Sequence, residues 1–144
     1  MISNPIVQAL GGLVIFYIGL KMFSGGMKAM GKLEHLEFFI HNPYWMFLGG
    51  IVCTLLWQSS SLSTTAIIGL VASGALPLPS AIAAVLGANI GTTGTIWLAG
   101  VMVSDGMPTG ITRQIAIVHT SVNLFMALTL LPFIQPIARF VSRF

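Results

Sequence analysis

Charge is the scarcest property of this sequence. Only 6% of its 144 residues are Asp, Glu, Lys or Arg, against roughly a quarter in an ordinary soluble domain. The charges are also clustered, because none falls within residues 1–20, 38–104 or 114–138. A soluble core does not need apolar stretches of that length, so the composition excludes a soluble globular fold and indicates an integral membrane protein.

Acids, cysteines and basic patches are equally sparse, and each absence excludes a class of function. None of the three acidic residues lies inside an apolar stretch, which argues against a proton relay through the membrane. The single cysteine, Cys53, cannot form an internal disulfide or a thiolate metal cluster. A net charge of +3 is too dilute for nucleic-acid binding. Residues 1–5 lack a cationic segment and no cleavage site follows, so a retained span is expected there and not a signal peptide.

The apolar segments that are present predict an all-α integral membrane protein. A helix needs roughly 20 residues to cross a hydrocarbon core about 30 Å thick, and three segments approach or exceed that length. The predicted order is a first span at residues 6–23 that a Ser24-Gly25-Gly26 break follows, an amphipathic interfacial helix at 28–42, a re-entrant hairpin at 45–76, a broken span at 79–103 and a last span at 113–131. Together these segments form a single unit.

Two of the segments are predicted to be irregular at membrane depth. Two short apolar arms flank the polar residues 58–61, which favours a re-entrant hairpin over two full spans. Residues 87–95 contain three glycines and three threonines, which predicts an unwound break within the span. Irregular backbone at this depth is tolerated only where it is buried in protein or lines a wet cavity. We therefore expect an ion or small-solute site near the middle of the membrane.

The hydroxyl groups at the two breaks suit an anion. A half-helix that Ser61 caps, and another that opens at Thr92 or Thr93, would direct free N–H groups at a bound anion. Ser59 and Ser60 add hydroxyls beside the first of these helix ends. The sequence thus predicts an anion cradle that contains no lysine or arginine.

Two side-chain amides suit a cation. Gln58 and Asn89 carry oxygens that fit a hard monovalent cation such as sodium. Because the anion cradle has no positive side chain, its charge must be balanced by cations that enter with the anion. The expected activity is cotransport, with no cofactor beyond the coupling ions.

The last span carries a polar face. The residues on this face are Arg113, Ala116, Thr120, Asn123 and Ala127, with His119 beside them. We expect this face to pack against the hairpin, so that Thr120 and Asn123 can reach the site, and we expect His119 to make an interhelical hydrogen bond.

Three other interpretations compete with the transport site. Polar residues in membrane helices often only bond a neighbouring helix, for about 1 kcal/mol, but that role does not explain two clusters of helix-weakening residues. A phosphate loop is excluded because no lysine follows the glycines of residues 87–95. An intramembrane hydrolase with Ser60 and His119 lacks a G-x-S-x-G motif, and the chain is not expected to be an enzyme.

Two motifs resemble those of the type II sodium/phosphate cotransporter family. They are Gln58-Ser59-Ser60-Ser61 with the following Ser63-Thr64-Thr65, and Gly87-Ala88-Asn89-Ile90-Gly91-Thr92-Thr93. The similarity extends to residues 19–27 and to Arg113, His119 and Asn123. It implies sodium-driven uptake of inorganic phosphate across a cell membrane, expected to be a prokaryotic inner membrane.

The resemblance also implies roles for individual residues. Phosphate would contact Ser59, Ser60, Ser61, Thr92 and Thr93, and sodium would contact Gln58, Ser59, Asn89 and Thr92. The supporting residues would be Ser63, Thr64, Thr65, Gly87, Gly91, Thr120 and Asn123.

Members of this family usually carry two repeats of inverted orientation, whereas this sequence has one. The resemblance therefore implies an antiparallel homodimer with a two-fold axis in the membrane plane. The distribution of positive charge favours a single orientation, because five residues are expected on one side: Lys21, Lys28, Lys32, Arg139 and Arg143. A different single-repeat partner, or a longer protein of which this is a fragment, would also supply the second repeat. A passive anion channel and a non-transporting membrane subunit remain the alternative functions.

Overall fold

The part of the chain that the structure describes consists of helices joined by short turns. The computed structural model describes the backbone of residues 4–30, 34–103 and 109–144. Its helices are α1 (Pro5–Met30), α2 (Glu34–His41), α3 (Pro43–Trp57), α4 (Ser60–Ala72), α5 (Leu78–Val103), α6 (Gly110–Leu130) and α7 (Ile134–Val141), and a 3₁₀ turn (Leu131–Phe133) joins the last two. The all-α prediction is confirmed for these residues.

Three segments are long and apolar enough to cross a membrane. They are Pro5–Phe23, Leu78–Met102 and Gly110–Val141, as the hydropathy pattern predicts. Helices α3 and α4 have 15 and 13 residues, so each extends roughly 20 Å and is shorter than a hydrocarbon core of about 30 Å. The protein is therefore a multi-pass membrane protein in which two shorter helices lie between the long ones.

Helix α5 is the centre of the fold, and α3 packs against it backbone to backbone. A Cβ atom placed on Gly87 would lie 2.0 Å from the carbonyl oxygen of Phe47, and one on Gly50 would lie 2.1 Å from that of Ala84. Real Cβ atoms do not approach an oxygen so closely, so only glycine fits at either position. Small residues allow such contact between membrane helices. Here each helix places a glycine against a backbone carbonyl of the other.

The predicted break at residues 87–95 is wrong, because α5 is helical without interruption through this stretch. The glycines serve the contact with α3, and the energy of that packing outweighs their poor helix propensity. Two of the threonines also bond to their own helix: Thr92 Oγ1 donates to the Ala88 carbonyl at 2.9 Å, and Thr93 Oγ1 donates to the Ile90 carbonyl at 2.7 Å. Neither threonine therefore opens a half-helix.

Two apolar clusters hold the remaining helices on α5. The first joins α2, α4 and α5 through Ile40, Ile67, Leu70, Leu76, Ala81 and Ala84. The second docks α7 on α5 through Ile134, which packs with Ala83 and Leu86. The sequence analysis stopped the last span at residue 131 and did not predict α7. Pro132 ends α6, but the chain resumes a helix after one 3₁₀ turn.

The outer helices differ from their predictions in two respects. Helix α1 continues through the expected break at residues 24–26 to Met30, and no residue of Pro5–Phe23 is buried. The polar face of α6 lies on α5 and not mainly on the hairpin, since Trp97 Nε1 donates to Thr120 Oγ1 at 3.0 Å. The interfacial helix is described only from Glu34 to His41. The side chains of Lys28 and Lys32, and residues 104–108, lie outside the described residues.

Candidate functional site

The polar motif Gln58-Ser59-Ser60-Ser61 lies at the tip between α3 and α4. Gln58 ends α3 with φ 52° and ψ 28°, in the left-handed region, and its N–H donates to the Thr54 carbonyl at 2.8 Å. A residue with a Cβ atom costs roughly 1–2 kcal/mol in this conformation, which glycine adopts freely. The Gln58 side chain folds back so that Nε2 donates to the Leu55 carbonyl. Its amide oxygen is therefore available at the tip.

Ser59, and not Ser61 as predicted, caps the N-terminus of α4. Its extended backbone (φ −148°, ψ 103°) places Oγ over the first turn, where it accepts from the Leu62 N–H at 3.2 Å. Ser61 is already inside the helix, and its carbonyl accepts from Thr65 Oγ1 at 2.8 Å. The helix thus begins two residues earlier than expected, at Ser60 instead of Leu62, with Ser60 half-buried and Ser61 exposed in its first turn.

The tip brings together opposite ends of two helix dipoles. The last carbonyls of α3 carry partial negative charge, and the first N–H groups of α4 carry partial positive charge. The tip therefore offers partial positive charge beside Ser60 and Ser61 and partial negative charge beside Gln58. Of the two helix N-termini predicted for the anion cradle, this chain supplies only that of α4, because α5 is unbroken.

Thr54 lies directly below the tip and was missed by the sequence analysis. Thr54 Oγ1 donates to Ser63 Oγ at 2.8 Å, and the two side chains are 0% and 2% exposed. Ser63 Oγ in turn donates to the Ser59 carbonyl at 3.0 Å. Thr54 precedes Gln58 by four residues, so it lies on the same face of α3. That spacing is the signal in the sequence that could have identified it.

The second motif meets α3 just below the tip. Gly91 packs against Thr54 and Gly94 packs against Leu55, so α3 and α5 run parallel. In this register Asn89 lies on the order of 10 Å along the helix axis from the level of the tip. Asn89 is half-buried, and no hydrogen bond joins the tip to the motif among the described residues. The two motifs are neighbours through their backbones, and their polar side chains remain apart.

The polar residues of α6 bond within α6 or to α5. Asn123 Nδ2 donates to the His119 carbonyl at 2.9 Å and lies 3.2 Å from a ring nitrogen of the same histidine. Thr120 Oγ1 donates to the Ala116 carbonyl at 2.7 Å. The hydrogen-bond partner of His119 is thus on its own helix and not on a neighbouring one, contrary to expectation. These side chains are not drawn to the tip of the hairpin.

The tip lies beside the end of the apolar stretch of α1. The rings of Phe23 and Trp57 meet edge to face with centroids 6.0 Å apart. A cavity of about 220 Å³ extends from this contact, lined by Phe16, Gly19, Leu20, Phe23, Trp57, Leu62 and Ala66. The tip therefore lies at the level of Phe23 of α1.

Comparison with known proteins now decides the family. The model of the Na+/Pi-cotransporter family matches residues 15–135, a range that includes the tip and the glycine-rich part of α5. The chain belongs to this family. The resemblance in the two motifs therefore led to the correct family, and the prediction of a transport family, not an enzyme family, is confirmed.

Individual relatives cover different shares of the chain. Sodium-dependent phosphate transport protein 2A of Rattus norvegicus is 36% identical over 130 residues, which are 85% of this chain and 20% of that protein. Sodium-dependent phosphate transport protein 2B of Homo sapiens is 32% identical over 133 residues, 88% of this chain and 19% of that protein. The uncharacterized protein YqeW of Bacillus subtilis is 37% identical over 87 residues, 58% of this chain and 28% of that protein. The chain thus spans about a fifth of the length of the named transporters. No solved structure matches it.

Proposed function

We propose that this chain forms one half of a transporter that couples the uptake of inorganic phosphate to sodium. The observation that carries the proposal is the tip of the α3–α4 hairpin, where the N-terminal end of α4 and the C-terminal end of α3 meet in a serine-rich turn. Such a turn offers N–H and hydroxyl donors to an anion and carbonyl oxygens to a cation. Family membership and the names of the relatives support phosphate and sodium as the two ions. We propose further that the hairpin is re-entrant.

In this proposal the phosphate contacts the first turn of α4. Ser59, Ser60 and Ser61 present hydroxyls there. The N–H groups of Ser60 and Ser61 have no partner inside the helix, whereas that of Leu62 donates to Ser59 Oγ. Thr92 and Thr93 donate their hydroxyl protons to carbonyls of α5, so their oxygens can only accept. An oxygen that only accepts suits a cation better than an anion, and this assigns these two threonines to sodium more readily than to phosphate.

The proposed sodium ligands are oxygens without formal charge. Gln58 bonds to Leu55 through Nε2, so its amide oxygen is left for a ligand, and Asn89, Ser59 and Thr92 add further neutral oxygens. Hard cations prefer oxygen ligands. The roles proposed for Ser63, Thr64, Thr65, Gly87, Gly91, Thr120 and Asn123 are to support the helices that carry these groups.

A second, oppositely oriented copy of the chain would complete the site. One α4 N-terminus and no lysine or arginine side chain make a weak cradle for an anion with one or two negative charges. A two-fold axis in the membrane plane would bring a second α4 N-terminus to the same anion. The small share of the named transporters that this chain spans agrees with a need for further helices. A related single-repeat chain would serve the same purpose.

Uptake into liposomes tests the proposal directly. Purified protein in liposomes should accumulate labelled phosphate above equilibrium when sodium is high outside, and should not do so when potassium replaces sodium. Equilibration without sodium dependence would instead indicate a passive anion channel. Absence of flux in folded protein would indicate a non-transporting subunit or a missing partner chain.

The variant Ser60→Ala assigns the transport to the tip. It removes a hydroxyl from the proposed cradle and leaves the Ser59 cap intact, so sodium-dependent uptake should fall by about tenfold. Ser121→Ala, an exposed position on α6, is the matched control and should transport normally. Wild-type uptake by Ser60→Ala would remove the tip from the substrate site.

A further inference from the structure

Thr54 is the point at which both sequence motifs meet. Its backbone carbonyl accepts from the Gln58 N–H at 2.8 Å, and its hydroxyl reaches the Ser59 carbonyl through Ser63. One residue of α3 therefore holds both residues of the turn. Thr54 thus bonds to Gln58 through its backbone and to Ser63 of α4 through its hydroxyl.

The hydroxyl chain has a single direction. Thr54 Oγ1 donates to Ser63 Oγ, and Ser63 Oγ donates to the Ser59 carbonyl. Both side chains are buried away from solvent, so neither can exchange its partner for water at low cost. Two hydrogen bonds, of 2.8 and 3.0 Å, thereby fix the distance from Thr54 to the turn.

The glycine-rich motif of α5 packs against Thr54, where this series of hydrogen bonds begins. A Cβ atom on Gly91 would lie 2.7 Å from Thr54 Cβ and 2.8 Å from the Ile51 carbonyl oxygen. Because position 91 is glycine, α5 can approach until it covers Thr54 completely. Thr54 is therefore enclosed between its own helix, Ser63 of α4 and the backbone of α5 at Gly91.

We infer that Thr54 is a positioning residue, which sets the geometry of the Gln58–Ser59 turn and anchors that turn to the packed pair of α3 and α5. The inference rests on the proposed function, because it assigns a role within the same site. It differs from an ordinary packing role in what it predicts. Loss of the hydroxyl should alter the ion dependence of transport more than it alters the stability of the fold.

Transport kinetics of three variants in liposomes test this inference. Thr54→Val keeps the shape and removes the hydroxyl, and it should raise the half-saturating sodium concentration about fivefold while the maximal rate and the thermal midpoint stay near those of the wild type. Thr54→Ser keeps the hydroxyl and should restore the wild-type sodium dependence. Thr129→Val, an exposed threonine of α6, is the control and should change nothing.

A double-mutant cycle keeps the test decisive if one variant folds poorly. Ser63→Ala breaks the same chain from the α4 side, so it should reproduce the sodium effect of Thr54→Val. The double variant should be no worse than either single variant, because each removes the same connection. Additive effects, an unchanged sodium dependence, or a Thr54→Ser protein as defective as Thr54→Val would overturn the positioning role.

A labelling experiment separates this inference from the proposed function. In a Cys53→Ala background, Ser60→Cys places a thiol in the turn, and its rate of modification by a maleimide reports how firmly the turn is held. Thr54→Val should raise that rate about fivefold, and Thr129→Val should not. If the wild type carries no sodium-dependent flux but the labelling rate still rises, the proposed function fails and the positioning role stands. An unchanged rate overturns the positioning role whatever the flux.

Discussion

At the scale of single residues, Gln58 stands out because its backbone conformation favours glycine, whereas the residue carries a long polar side chain. The left-handed conformation with φ 52° is one that glycine adopts without cost. Glutamine is strained there, and strain retained at a helix end is a sign that the side chain is used. The amide of Gln58 touches its own helix through Nε2 alone, which leaves its oxygen for a ligand.

The variant Gln58→Gly should separate stability from transport. Removal of the strain should raise the thermal midpoint in detergent by a few degrees, for a gain of about 1 kcal/mol. Loss of the amide oxygen should reduce sodium-dependent phosphate uptake by at least about tenfold. Gln58→Asn tolerates the same backbone and keeps an amide, so it should retain more uptake than glycine does. A lower midpoint for Gln58→Gly, or normal uptake, would contradict this interpretation.

At the scale of the elements, helices α3 and α5 are the most closely packed pair in the described part of the fold. The two helices touch through glycine backbones at several levels, and Gly87 against the Phe47 carbonyl is the closest of these contacts. The glycines of α1 differ, because nothing lies within 4 Å of a Cβ atom placed on Gly11 or Gly12. The same residue type therefore has opposite consequences in the two helices.

Alanine substitutions should show this difference directly. Gly87→Ala places a methyl group against a backbone carbonyl that cannot move aside, so it should destabilise the protein by about 3 kcal/mol or prevent folding. Gly11→Ala meets no neighbour and improves helix propensity, so it should be neutral or stabilising by up to about 1 kcal/mol. Thermal unfolding of both variants in the same detergent measures the contrast. Equal midpoints would mean that α3 and α5 do not pack as closely as described.

The elements that hydropathy alone determines could be predicted from the sequence. Features that depend on the packing of one helix against another could not. Three long spans and a polar turn at residues 58–61 follow from apolar length and from serine clusters, which are local signals. The continuity of α5 does not, because its glycines look like helix breakers until α3 is packed against them. Thr54 looked like part of an apolar helix for the same reason.

Ser80 is buried with an unpartnered hydroxyl, and nothing in the structure explains it.

At the scale of the whole molecule, the chain leaves much of its surface uncovered. Helix α1 buries none of its apolar stretch. When the protein is in a membrane, this stretch would be covered by lipid or by another protein. The proposed site has one helix N-terminus where the anion needs more. Both features agree with the proposal that the working unit contains a second copy in the opposite orientation, although the positive side chains of Lys21, Arg139 and Arg143 are predicted to share one side.

Labelling from each side of the membrane tests the arrangement of the dimer. In a Cys53→Ala background, Ser142→Cys places a thiol in an exposed position after α7. An impermeant maleimide should label about half of the molecules from outside intact cells and the rest only after permeabilisation, because an antiparallel dimer presents each end on both sides. Labelling on one side alone would exclude dual insertion and would point to a different partner chain.

The contact between α3 and α5 also restricts how this protein can move. A glycine Cα next to a carbonyl oxygen leaves no gap for side chains to reorganise, so neither helix can slide or rotate past the other without a clash. The pair must travel as one rigid body. Any alternation between inward-open and outward-open states therefore has to come from helices with looser contacts, such as α1 and α6, rearranging around that body. The hairpin tip, anchored to the pair through Thr54, would remain its fixed reference point.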